Sequence, residues 1–80
     1  LVGDPEAELV PLTAREADVL ALLRTGASNA DIGRRLSISE LTVKTHVRGL
    51  MAKLGATDRT AVVARAFDLG LLKAARPERR

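Results

Sequence analysis

The chain has no cysteine, tryptophan or tyrosine, and only one phenylalanine and one histidine. Without cysteine there is no disulfide and no thiolate metal site. His46 stands alone, with no second histidine and no paired acids near it, so a histidine metal centre lacks its parts. Gly26, Gly33, Gly55 and Gly70 are isolated, which suits helix ends and packing better than a phosphate cradle. An enzyme is therefore not expected, nor a metal or cofactor. No apolar run approaches the roughly 20 residues that a membrane span requires, and no secretory leader pattern is visible. These absences fit a reducing cytoplasm and predict no membrane partner. The chain starts at Leu1 rather than methionine, so it is expected to be cut from a longer protein.

What is present is aliphatic and charged. Hydrophobic residues make up 46% of 80, so leucine, valine and alanine must build the core, and short packed helices suit them better than strands. A chain this short buries only about 60% of its unfolded surface, which leaves a small stability margin. The net charge of +3 is unevenly spread. Asp4, Glu6, Glu8, Glu16 and Asp18 face a single early base, Arg15, whereas the middle carries Arg34, Arg35, Lys44, Arg48, Lys53 and Arg59 against Asp31, Glu40 and Asp58. A basic middle fits either an anionic partner such as nucleic acid or an ordinary solvated surface.

The punctuation predicts four helices. Residues 1–11, with Gly3, Pro5 and Pro11 among acids, read as a linker or poorly ordered terminus. Thr13 and Glu16 form a capping box, with Leu12 placed to staple onto Ala17. The first helix then runs through Val19, Leu20, Leu22 and Leu23 to Gly26. Ser28 caps a short second helix, with Asp31 in its first turn and Ile32 and Leu36 on one face. Ser37, Ile38 and Ser39 make a tight connection, and Ser39 caps the third helix. There Val43, Val47, Leu50 and Leu54 line one stripe, while Leu41, Lys44, Thr45, Arg48 and Ala52 lie opposite. Thr42, His46 and Lys53 run along a flank. Gly55 ends that helix. Asp58 caps a fourth, with Val62, Val63, Ala66 and Leu69 inward and Phe67 at the edge, closed by Gly70. Residues 73–80 read as a basic tail.

The expected architecture is all-α, a four-helix domain at 12–72 containing a helix-turn-helix. Two short helices joined by a three-residue connection, the second with a basic outer face, have the form of that motif. A major groove about 12 Å wide admits one α-helix, held by one face and reading with the other. Glu40 is the only acid in residues 40–54, and it sits in the first turn, where the helix dipole tolerates it.

The run from Leu12 to Thr60 also resembles the LuxR-type domain, the output domain of NarL/FixJ response regulators and quorum-sensing activators. The matching residues are Leu12-Thr13, Arg15-Glu16, Val19-Leu20, Gly26, Ser28-Asn29, Ile32, Leu36, Ile38-Ser39, Thr42-Val43-Lys44, His46, Lys53-Leu54-Gly55 and Arg59-Thr60. The resemblance implies a four-helix domain that binds double-stranded DNA as a homodimer, below an N-terminal regulatory domain. Four positions depart from the pattern: Gly33 where alanine is usual, Leu41 where the residue is often polar, Thr57 where a base is common, and Ala61 in place of Glu or Gln.

Roles follow from the outer face and the resemblance together. Lys44, Thr45 and Arg48 are the expected base contacts, with a solvated basic face as the plainer alternative. Leu41 reads equally well as an apolar contact or a semi-exposed leucine. Ser28, Asn29, Thr42, His46 and Lys53 are the expected phosphate contacts, against capping for Ser28 and structural hydrogen bonding for His46. Arg59 falls on the apolar side of the fourth helix and is expected to pair with Glu16 or another acid of the first helix. Ala61, Ala64, Arg65 and Asp68 are the expected dimer face, by the resemblance. RNA polymerase is a candidate further partner, and the nucleoid the expected location. Two alternatives stand beside this one: a sigma-factor region-four-like domain that contacts core RNA polymerase, and a small helical protein-interaction module.

Overall fold

Each helix begins where a side-chain oxygen can accept from the free amide three residues on. The computed structural model describes residues 11–72. They form α1 (Ala14–Leu23), α2 (Asn29–Leu36), α3 (Glu40–Leu54) and α4 (Arg59–Asp68), with no strand among the described residues. The all-α, four-helix expectation holds. Apart from Pro11, the expected linker at 1–11 and the basic tail at 73–80 lie outside the described residues.

All four expected caps are formed. Thr13 Oγ1 accepts from the Glu16 amide at 3.0 Å while Glu16 Oε1 accepts from the Thr13 amide at 3.0 Å, completing the capping box. Ser28, Ser39 and Asp58 accept from the amides of Asp31, Thr42 and Ala61 at 3.1, 3.0 and 2.8 Å. Each such cap contributes about 1 kcal/mol, a useful share of the small margin of a short chain. Leu12, just before the cap, is half-buried against the core, and Ala17 is exposed.

The core is built around α3, which packs against all three other helices. Its stripe of Val43, Val47, Leu50 and Leu54 is buried, as the period required. Val19, Leu20 and Leu23 meet it from α1, Ile32 from α2, and Val62 and Ala66 from α4. Burying one such aliphatic side chain contributes about 1.5–3 kcal/mol, more than most surface polar contacts. Val63 and Phe67 are half-buried at the edge of the α4 stripe. The Arg24 guanidinium lies 5.6 Å above the Phe67 ring, joining the end of α1 to α4.

The connection between α2 and α3 is tight because its hydrogen bonds close on α2. The Ile38 amide donates to Gly33 O at 2.9 Å and the Ser37 amide to Arg34 O, the paired bonds of a Schellman ending. Ser37 takes the left-handed conformation, φ 58 and ψ 43, and is the only non-glycine residue with positive φ among the described residues. Gly33 leaves room for the turn: a Cβ there would stand 2.7 Å from Ile38 O. The departure at Gly33 noted above thus lets α2 and the turn approach closely.

A left-handed serine costs roughly 1–2 kcal/mol, and glycine at that site avoids the cost while giving part of it back as unfolded-state entropy. Ser37→Gly should therefore stabilise the domain by about 0.5 kcal/mol, read as a raised urea midpoint with unchanged slope. A lowered midpoint would show that the turn carries no strain.

Candidate nucleic-acid interface

The buried stripe of α3 forces its other face outward. Lys44, Thr45 and Arg48 are all exposed there, and Leu41 is 71% exposed in the first turn of the same helix. Positions 41, 44, 45 and 48 fall three, four and seven apart, so the helix gathers them on one side. Glu40 is exposed at the start of the helix. The Thr45 hydroxyl donates back to Leu41 O at 3.3 Å. Of the flanking residues, Thr42 is half-buried, with its hydroxyl 2.8 Å from Ser39 Oγ, and His46 is half-buried one turn later.

The start of α2 is tied to the start of α4. Asn29 Oδ1 accepts from Arg59 Nη1 at 3.0 Å, and Ala27 O accepts from Arg59 Nη2 at 2.5 Å. A guanidinium only donates, so it fixes which way the Asn29 amide points and turns the NH2 group away from Arg59. This corrects the acidic partner expected for Arg59. Its partners are an amide oxygen and a main-chain carbonyl. Arg34 pairs with Asp31 along the exposed side of α2.

The acid expected to meet Arg59 is instead held by Lys53. Glu16 is the one buried charged residue among the described residues, 7% exposed, and Lys53 Nζ lies 2.6 Å from its Oε1. Lys53 Nζ also donates to Pro11 O at 2.9 Å. Two of the three ammonium donors are thus occupied on the α1 side, and the third is left for the phosphate role expected of Lys53. Gly49, one turn before Lys53, makes room for the carboxylate: a Cβ there would stand 2.7 Å from Glu16 Oε2. Burial alone pushes the Glu16 carboxyl up. The hydrogen bonds from Lys53 and from Thr13, with the Lys53 charge, outweigh burial and hold it below its ordinary value.

On α4, Ala64 and Asp68 are exposed and Ala61 is half-buried. Arg65 is exposed, but its Nε donates to Leu54 O at 3.2 Å. It therefore covers the last carbonyl of α3, where the helix dipole favours a cation. Sequence reasoning missed this contact, because nothing in the run of α4 marks which neighbouring carbonyl is free. Among the described residues no cluster of acids and histidines can hold a metal, and no helix is long and apolar enough to cross a membrane.

Two helices joined by a three-residue turn, the second seated on a core with its basic face open, define a helix-turn-helix domain. Residues 10–66, more than half of the chain, match the family model for bacterial regulatory proteins of the luxR family, and the chain belongs to that family. It is 55% identical over 58 residues to an uncharacterized transcriptional regulatory protein, YhcZ, of Bacillus subtilis (strain 168), covering 71% of this chain and 27% of the relative. It is 46% identical over 56 residues to the monoamine regulon transcriptional regulator of Klebsiella aerogenes, covering 70% and 25%. To the transcriptional regulatory protein DegU of Brevibacillus brevis it is 45% identical over 62 residues, covering 78% and 26%. Among solved structures, the response regulator ChrA of a heme-sensing two-component system is 42% identical, with a TM-score of 0.75 over 78% of this chain and 31% of that one. The chain thus spans about a quarter of the length of the curated relatives it matches. These relatives carry the names of regulators rather than enzymes.

Removing the lysine leaves a buried carboxylate without its counter-charge. Lys53→Ala should cost about 2 kcal/mol, below the range for a fully buried pair because a third of the lysine side chain keeps its water. Because the folded carboxyl titrates below its ordinary value, its stabilisation is full above that value. It is lost as pH falls through the lower folded one. The urea midpoint of the unaltered chain should therefore drop on acidification below the ordinary carboxylate range. Glu16→Gln should start lower at neutral pH and fall less steeply. Parallel declines would show that Glu16 has no part in acid sensitivity.

Proposed function

We propose that the domain binds double-stranded DNA sequence-specifically, as the output module of a bacterial transcription regulator. In this reading α3 lies in the major groove. The observation that carries it is the open face of α3, where Lys44, Thr45 and Arg48 stand exposed above a stripe with no freedom to turn. An arginine can grip a guanine through O6 and N7, a lysine can reach the same acceptors, and a threonine methyl can meet a thymine methyl. A rigid seat matters because a groove is read by position.

Around these, Ser28, Asn29, Thr42 and His46 are the proposed phosphate contacts. The Asn29 NH2, turned away from Arg59, supplies a donor. Thr42 can use its hydroxyl, and the free amides at the start of α2 favour an anion. Lys53 holds α3 to α1 and is proposed to offer its remaining donor to a phosphate. Two copies meet through α4, where Ala61 and Ala64 let a second helix approach, flanked by Arg65 and Asp68. A twofold pair of this kind would read a two-part site with matching symmetry. The relatives are about four times as long as the matched segment, which leaves room for a regulatory domain that controls pairing or access. Work on the chromosome puts the parent protein in the cytoplasm, on the nucleoid. Leu41 is the one large hydrophobic residue exposed among the described residues, too little apolar surface for a peptide-binding module.

Selection of bound duplexes from a random pool tests this reading and reports site symmetry as well. On a selected site, Arg48→Ala should weaken binding by about 1–3 kcal/mol, with a much smaller loss on random duplex. Affinity should fall steeply with salt. Equal losses on both duplexes would remove direct readout by Arg48, and salt-independent binding would remove the DNA reading altogether.

A further inference from the structure

We propose that Leu41 is a specificity-determining residue that reads the 5-methyl group of a thymine on the major-groove floor. The proposal rests on the DNA-binding reading above and goes beyond it to one residue and one chemical group. A single exposed leucine is unremarkable on most surfaces. The place of this one decides otherwise. At 71% exposure it is the only large hydrophobic side chain left in water among the described residues. It stands in the first turn of α3, the end of a recognition helix that reaches base edges. It shares its face with the exposed Lys44, Thr45 and Arg48.

Thr45 extends the apolar character of the spot. Its hydroxyl donates to Leu41 O at 3.3 Å, so that group is turned back onto the helix. The outer face therefore offers two cations beside an apolar step made of Leu41 and the carbon part of Thr45. Guanine and adenine present hydrogen-bonding atoms in the major groove, and those suit Lys44 and Arg48. Leucine can neither donate nor accept. The one apolar group on that floor is the thymine methyl. Placed against phosphate or a cytosine amine, the same leucine would cover a polar group with nothing to pair it.

The experiment uses the full 80-residue chain. Duplexes are selected from a random pool by the unaltered protein. The enriched site is then synthesised with each thymine in turn replaced by deoxyuridine, which removes the methyl and leaves base pairing intact. Dissociation constants are measured for the unaltered chain, Leu41→Ser and Thr45→Ser. Leu41 covers no core, so Leu41→Ser should keep the helical circular dichroism and urea midpoint of the parent. The expected result is, in each half-site, a thymine facing Leu41 whose methyl is worth roughly 3- to 5-fold in affinity, the value of one buried methyl group. At the thymine facing Leu41 that sensitivity should vanish in Leu41→Ser and persist in Thr45→Ser, which removes sensitivity only at a separate thymine that the Thr45 methyl meets. Equal sensitivity in the parent and Leu41→Ser overturns the proposal, as does sensitivity lost only in Thr45→Ser. An enriched site with no methyl sensitivity also overturns it, while leaving DNA binding intact. Failure to enrich any duplex removes both.

Discussion

The buried carboxylate of Glu16 is the point on which the rest of the structure turns. It closes the first turn of α1, receives the ammonium of Lys53 and fills the space left open at Gly49. One group thus joins the start of α1 to the second half of α3. Burying a charge is costly unless its hydrogen bonds are met, and here they are met from two sides. The attachment adds a directed contact to the apolar stripe that sets the rotation of α3 about its own axis.

That rotation decides which residues face outward. With Val43, Val47, Leu50 and Leu54 inside, Lys44, Thr45 and Arg48 have nowhere to go but solvent. The turn before α3 serves the same end. Gly33 admits Ile38 O and Ser37 accepts a left-handed backbone, so that α3 starts close against α2. The domain concentrates its polar contacts at helix ends and lets a small aliphatic core do the remainder, as suits a chain with a single aromatic residue.

Local rules were legible in the sequence because they act within one helical turn. Thr13, Ser28, Ser39 and Asp58 each marked a helix start, and each cap joins residues three apart. The buried stripe of α3 followed from its period, and with it the exposed face. The partners of charged side chains were not legible. Lys53 and Glu16 lie 37 residues apart, and Arg59 and Asn29 lie 30 apart. Charge complementarity offered Glu16 to Arg59 as readily as to Lys53, and only the crossing of α1 over α3 decides between them.

The two arginines of α4 each hold the helix-turn-helix through a main-chain carbonyl, an atom that every residue has. Arg65 takes the carbonyl of Leu54, and Arg59 takes that of Ala27 together with the Asn29 side chain. Neither carbonyl depends on the identity of its residue. The outward side chains of α3 can therefore be exchanged for others without loosening these two fastenings. A scaffold clamped in this way is suited to being retargeted, each descendant keeping its frame while adopting a new vocabulary.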